Sequence, residues 1–309
     1  MLGKSSLDAP RHNGLLGPIL VFGRSGQIAK ALRTLLGNTV ICLSREEADF
    51  ETPEVLPNII AKIRPTAVIN AAAYTQVELA ETQEAMATTI NSETPGKIAG
   101  ECARLGIPLV HYSTDYVFGP PLSAPDRPWQ ENDQPAPLNA YGRSKLSGEA
   151  LIQEANGKWI ILRTSWVYDA TGKNFLRTML RLGTEQENLQ VIADQFGAPT
   201  YAKHIAAATV QILEQALCAP KFPTGIYNIC NSGETTWNGF AKAIFEEARH
   251  HTLLKIKNVQ EISSSQRPSP MTRPKNSRLD LTKIQKTFGI YMAPWQAALK
   301  ECLEEIFIK

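Results

Sequence analysis

Apolar and polar positions fall in blocks along this chain that read in turn as strands and helices. Residues 18–22 (PILVF) form a short apolar run ending at Gly23, the pattern of a strand buried on both faces. The turn GRSGQIA (23–29) follows, then a helical run to about residue 36 and a second strand at 39–43. Strand, glycine turn, helix and strand in this order make a βαβ unit of the length that binds dinucleotides. The alternation continues with a helix at 53–63, a strand at 67–70, a long helical stretch at 85–105 and a strand at 107–112. Pro95 must kink or split that long helix, because proline lacks the backbone N–H. Residues 120–137 are rich in proline and acids and read as a surface loop. A helix begins near Leu138, and a strand follows at 159–163. Repeated βα units predict an α/β fold with a Rossmann-type doubly wound parallel sheet.

Past about Asp169 the pattern loosens. It gives a helix at 174–182, a short strand at 189–192, an alanine-rich helix at 201–217, a strand at 225–230, a helix at 236–249 and a closing helix from about Pro294. Residues 1–17 read as a loose leader, without the continuous apolar core of a signal peptide. Residues 18–168 read as an NAD(P)-binding Rossmann domain, with 203–232 returning to it. Residues 169–202 and 233–309 read as a smaller, mixed C-terminal substrate domain.

Composition narrows the function classes. Of 309 residues, 43% are hydrophobic and 20% charged, and the net charge is +2 with no long basic run. That balance suits a soluble globular protein and gives no footprint for nucleic acid. No run of 18 apolar residues is present, so no membrane span is expected. The five cysteines are scattered without metal-ligand spacing, as reduced thiols of a cytoplasmic protein would be. His111 sits inside an apolar strand and reads as a core histidine, and His204, His250 and His251 have no metal-like partner spacing.

Four stretches carry candidate chemistry. Gly23 permits a tight turn, and Gly26 lets backbone approach a phosphate at a helix N-terminus, with Ala29 in the third fingerprint position. Ser44-Arg45 ends the second strand. A basic residue there suits the 2′-phosphate of NADPH, although the following acids leave NADH open and Asp49-Phe50 could flank the adenine. Ala71, Ala72 and Ala73 end the third strand and leave room for a cofactor across the sheet edge. Thr114 closes the fourth strand with a hydroxyl, either as a cap or as a site group. Tyr141 and Lys145 stand four apart on a helix and share one face. A neighbouring ammonium favours phenolate, so Lys145 is expected to lower the pKa of Tyr141. Hydroxyl, phenol and cation together suit proton transfer to a carbonyl oxygen during hydride transfer.

In order along the chain, GRSGQ (23–27), INAAAYTQVELAE (69–81), HYSTDYVF (111–118), PLNAYGRSKLSGE (137–149), LRTSWVY (162–168), DQFGAPT (194–200), TTW (235–237) and RPKNSRLD (273–280) resemble the extended short-chain dehydrogenase/reductases, and among them the dTDP-4-dehydrorhamnose reductase family. The resemblance implies that NADPH, or NADH, reduces the C4 ketone of a dTDP-linked 4-dehydro sugar in dTDP-rhamnose biosynthesis. It implies Tyr141 as general acid, Lys145 as its partner on the nicotinamide ribose and Thr114 on the reacting oxygen. It places Gly23, Arg24, Ser25, Gly26, Gln27, Ile28, Ser44, Arg45, Asp49, Phe50, Ala71, Ala72, Ala73 and Tyr112 at the cofactor. Ser113, Trp166, Arg273 and Arg278 would face the sugar nucleotide, though the basic loop alone reads equally well as solvated. Some relatives hold Mg2+ at a dimer contact through a glutamate at the position of Ala31, so that metal is not expected here. A homodimer stays open. The motif VELAE departs from the family's V-D-K-A-E, keeping the acid as Glu78 and replacing the lysine with Leu79. Other readings are an epimerase or dehydratase of the same fold and a non-catalytic NADP-binding regulatory subunit.

Overall fold

The computed structural model describes residues 17–119, 126–267 and 269–307. All of the expected leader except Gly17, and residues 120–125 of the acidic loop, lie outside the described residues. Five strands arise in order: β1 (Ile19–Phe22), β2 (Val40–Leu43), β3 (Ala67–Asn70), β4 (Leu109–Thr114) and β5 (Trp159–Thr164). With Gly225–Asn228 they form a six-stranded sheet in the order Gly225–Asn228, β5, β4, β3, β1, β2, every pair parallel. The direction of travel reverses between β1 and β3, and that switch point opens the crevice in which such sheets bind ligands.

Side chains alternate across each strand and fill two cores. Ile19 and Val21 face a cluster with Leu32 of α1 (Gln27–Leu36) and Ile205 and Leu213 of the helix Ala202–Cys218. Leu20 and Phe22 face a cluster with Leu56 and Ile60 of α2 (Leu56–Ile63), Ile98 of α5 (Thr94–Leu105) and Ile152 of α6 (Ala140–Glu154). A third core, with Tyr168, Leu176, Phe240, Phe245, Trp295 and Leu299, builds the C-terminal part around the helices Phe175–Glu185, Trp237–Ala248 and Trp295–Phe307.

Three elements differ from the pattern reading. The short helices α3 (Val77–Ala80) and α4 (Glu84–Thr88) precede a wide π turn, Thr89–Glu93, and Pro95 then opens α5 where no intrahelical N–H is needed. Helical backbone runs without a gap from Glu84 to Leu105, and the wide turn stands immediately before the proline. Strand β4 runs two residues further than the apolar run and carries Ser113 and Thr114 opposite Arg163 and Thr164. The segment after residue 125 is an irregular surface loop as read, but it carries one anchor: Trp129 is buried, stacks on Phe118 at 4.8 Å and donates its backbone N–H to Arg278 O at 2.8 Å.

Helix α6 is clamped to the sheet by a buried ion pair. Arg163 Nη2 meets Glu149 Oε2 at 2.6 Å and Nε meets Oε1 at 2.9 Å, while Ser113 Oγ donates to the same Oε1 at 2.5 Å. Both charges are under 2% exposed. On its other side α6 packs so tightly on the π turn that a Cβ at Gly148 would stand 2.1 Å from Asn91 O. Removing one partner of a buried, hydrogen-bonded pair strands the other charge. Glu149→Gln is therefore expected to cost about 3–5 kcal/mol of unfolding free energy in denaturant titration, and an unchanged midpoint would refute the clamp.

Candidate active site

The site forms where β1, β3 and β4 end. Gly23 has φ +102°, and a Cβ there would lie 3.1 Å from Ala71 O, so only glycine lets the first turn pass this close to the end of β3. Gly26 caps α1 with extended backbone and no side-chain hydrogen bond. The first N–H groups of α1 thus keep their capacity for an anion at a positive helix end. With Ala71, Ala72 and Ala73 across the crevice, these residues fit a dinucleotide pyrophosphate. Ser25 is exposed, and Ile28 packs against the core behind the turn. Gln27 Oε1 accepts from Asn174 Nδ2 at 3.0 Å, tying the turn to the C-terminal part.

At the end of β2, Arg24 donates to Cys42 O at 2.7 Å and pairs with Glu47 at 2.6 Å. Arg45 is engaged by Glu51 and, at 3.7 Å, by Asp49. Ser44 N donates to Glu47 Oε2 at 2.8 Å. Two arginines therefore stand at this edge, each already held by a carboxylate. The Phe50 side chain does not face this edge: it is buried, with its ring edge-on to Phe22.

Two more expected contacts resolve differently. The Tyr112 phenol turns into the core against Thr209 Oγ1 at 2.7 Å, where burial raises its pKa, and only its carbonyl faces the site. Ser113 is buried and committed to Glu149, so it does not open to the cleft. Alternation along β4 explains both, since neighbours in a strand point to opposite faces.

Thr114, Tyr141 and Lys145 do come together. Asn139 caps α6 by accepting from Gly142 N at 2.9 Å, which sets Tyr141 in the first turn and Lys145 one turn on. Tyr141 is half-buried, lies edge-on to Tyr116 at 5.6 Å and is in hydrogen-bond contact with the Thr114 hydroxyl. The expected lowering of its pKa is absent. Burial pushes Tyr141 up to about 12, Thr114 opposes this in part and Asp115 adds to it. The reason is where the lysine nitrogen goes: Lys145 Nζ donates to Tyr112 O at 2.7 Å and meets His111 Nε2 at 3.0 Å. Burial in turn pushes Lys145 down to about 8.

The pattern reading missed Asp115, which is 2% exposed beside Thr114. It accepts from Thr114 Oγ1 at 3.1 Å and is in hydrogen-bond contact with Ser277, while its Oδ2 has no partner among the described residues. Burial lifts its carboxyl to about 7. An acid inside a capping motif gave no signal of its own.

The three C-terminal motifs converge on one small sheet. Phe196–Gly197 pairs antiparallel with Thr235–Thr236 and parallel with Asn276–Ser277. Gly197 makes room for Trp166, whose indole a Cβ would meet at 2.7 Å. Trp166 itself is held at φ +49° and stacks on Trp237 at 3.7 Å. Trp237 and Phe175 line a cavity of about 1060 Å³, whose other walls include Gln190, Gln195, Arg273 and Lys275. The cavity has an aromatic wall and a basic wall, as a nucleoside diphosphate requires. Arg273 pairs with Glu78 at 2.8 Å on its rim. Arg278 is turned away, between Asp126 and Glu234 with its guanidinium 6.0 Å from the Phe196 ring centre, and is not a lining group. Ala31 packs against the core beside α1.

Sheet, glycine turn and tyrosine–lysine helix define the class, a Rossmann-type oxidoreductase of the short-chain dehydrogenase/reductase kind. A family model described as RmlD substrate binding domain matches residues 17–308. The dTDP-4-dehydrorhamnose reductase of Burkholderia thailandensis is 42% identical over 93% of this chain and 98% of its own length. The enzyme of that name from Escherichia coli K12 is 41% identical over 94% and 98%. Among solved structures, a dTDP-4-dehydrorhamnose reductase from Bacillus anthracis in complex with NADP aligns with TM-score 0.85 and 32% identity, covering 94% of this chain and 99% of that one. The chain belongs to the dTDP-4-dehydrorhamnose reductase family.

Asp115 generates a prediction on stability. Its folded pKa of about 7 lies above the ordinary 3.8, so the folded state keeps a proton that the unfolded chain releases. Its contribution is full at low pH and is lost as pH rises from about 4 through about 7, at about 1.4 kcal/mol for each pH unit crossed. Asp115→Asn is expected to flatten the fall in unfolding free energy across that window, and an unaltered slope would show that Asp115 is not buried as an acid.

Proposed function

We propose that this chain reduces the C4 ketone of dTDP-4-dehydro-L-rhamnose to dTDP-L-rhamnose, with Tyr141 as the group that protonates the C4 oxygen. The observation that carries the reading is Tyr141 against the Thr114 hydroxyl at the sheet edge, with Lys145 one turn behind it. When bound, NADPH supplies the hydride. Gly23, Gly26 and the N-terminus of α1 would hold its pyrophosphate, and Ala71, Ala72 and Ala73 would leave room for its middle. Arg24 and Arg45 would exchange their carboxylates for the 2′-phosphate, which favours NADPH over NADH. Residues 18–168 with 203–232 serve as the cofactor unit, and residues 169–202 with 233–309 as the substrate unit. Trp237 lines the cavity with Trp166 stacked behind it and would bound its sugar end, and Arg273 would face the diphosphate. Ala31 removes one acidic ligand from any metal site at a subunit contact, so the reaction is taken to proceed without Mg2+. The chain is taken to work in the cytoplasm, as a monomer or homodimer. Among the described residues no helix is long and apolar enough to cross a membrane.

The chemistry follows from the groups present. A ketone gains negative charge on oxygen as hydride arrives at carbon, and a phenol within reach of that oxygen quenches the charge by giving up its proton. Thr114 fixes the direction of the phenol. At about 12, Tyr141 stays protonated across the neutral range and is fit to be an acid. A charged Lys145 near the phenol stabilises the phenolate that is left.

The direct test follows NADPH or NADH oxidation with dTDP-4-dehydro-L-rhamnose, with and without EDTA. Tyr141→Phe is expected to lower kcat by about 10² to 10⁴-fold, and an unchanged rate overturns the assignment. A rate that EDTA abolishes overturns the metal-free reading. The pH profile has a defined sign. The protonated lysine is the active form, so kcat/KM falls as pH rises through about 8, with no limb from Tyr141 below that.

A further inference from the structure

Asn70, His111 and Lys145 lie in one buried line behind the site, each no more than 2% exposed. Ala72 N–H donates to Asn70 Oδ1 at 3.1 Å, which fixes the amide so that Nδ2 faces His111 Nδ1 at 3.0 Å. An amide NH2 only donates, so His111 Nδ1 accepts. A neutral ring then carries its proton on Nε2. That Nε2–H faces Lys145 Nζ at 3.0 Å. An ammonium has three donors and no acceptor, and cannot receive it; an amine has a lone pair, and can. The amine still donates to Tyr112 O at 2.7 Å.

We infer that His111 is a positioning residue that binds Lys145 only as the uncharged amine, so that protonating Lys145 moves it off His111 and toward Tyr141. This rests on the roles of Tyr141 and Lys145 proposed above. The groups that face Lys145 support it from every side. Strand β3 offers only neutral Asn70, through the ring. Strand β4 offers His111 and the Tyr112 carbonyl. On α6 itself Tyr141 lies one turn before and Glu149 one turn after, and Glu149 is taken by Arg163 and Ser113. The carboxylate nearest the lysine along its helix is thus already neutralised. His111 is held well below its usual pKa, first by burial and then by Lys145, so the lysine titrates and the ring does not. The charge of Lys145 and its position are therefore one variable: amine on His111, ammonium free to serve the phenol.

The tautomer is read directly by two-bond 1H–15N NMR on the full-length protein above the lysine's titration. The proton is expected on His111 Nε2 and not on Nδ1, and a ring with Nδ1–H overturns the inference without a substrate or a turnover being involved. The second arm follows Lys145 by 13C-ε lysine titration, assigned with Lys145→Arg, in the wild type and in His111→Gln. Glutamine offers an oxygen that accepts from an ammonium. The Lys145 midpoint is expected to rise by about one pH unit or more, and the alkaline limb of kcat/KM to move with it. A structural role alone would lower melting temperature or kcat with the midpoint in place, and that outcome refutes the proposal. If Tyr141→Phe left the rate intact while both NMR results held, the proposed reaction would fail and the lysine contact would stand.

Discussion

Helix α6 carries two ionisable groups, Lys145 and Glu149, one turn apart on the face it buries, and much of the molecule is arranged to partner them. Four helix residues rise about 6 Å, and two strand residues rise nearly the same. The pairs Lys145–Glu149 and His111–Ser113 therefore run side by side and meet rung for rung. The two rungs are unequal. Glu149 gains a bidentate arginine and a hydroxyl, which satisfies it and locks α6 to β4 and β5. Lys145 gains a carbonyl and an imidazole, neither of them charged. One rung fixes the helix and the other leaves a cation poised to lose its proton, on the same rigid frame.

That frame reaches the substrate side through three ties around the first turn of α6. Glu81 Oε1 accepts from Ala140 N at 2.7 Å, Asn139 Nδ2 donates to Thr272 O at 3.0 Å, and Arg273 returns to Glu78 at 2.8 Å. Helix α3, the start of α6 and the loop before Asn276 thus form a closed triangle beside Tyr141. Two of its sides are hydrogen bonds to backbone. The third joins two exposed side chains on the cavity rim, and such a pair contributes little in water. It is therefore the weakest side of the triangle, and the two backbone ties hold the start of α6 without it.

Much of this was legible in the sequence where the information is local. The glycine turn and the alternating strands and helices depend on a few adjacent residues, and they form close to where the pattern puts them. What was not legible depends on which face a side chain takes or on what lies beside it in space. A strand's period of two says that Tyr112 and Ser113 point oppositely, but not that one meets Thr209 in the core and the other Glu149 under α6. Arg278 and Arg273 share a motif, yet only one reaches the cavity, because Asp126 and Glu234 arrive from distant parts of the chain to hold the other. Phe50 ended in the core for a similar reason: Phe22 offers its ring from the neighbouring strand.

The misread pKa of Tyr141 is the most instructive case. Spacing of four along a helix brings two Cβ atoms within reach of each other, but a lysine has four further carbons with which to choose a partner. Desolvation decides the choice. In a buried cleft the phenol is more stable neutral and the amine is more stable neutral, so each drifts away from the charged form the motif suggests. A proton donor for a ketone needs its proton present before the reaction and a cation near it during the reaction. Burial secures the first by raising Tyr141, and a lysine poised near neutrality supplies the second without holding an ion pair in a dry pocket beforehand. The same desolvation that defeats the simple reading of the motif therefore makes the pair suited to acid catalysis.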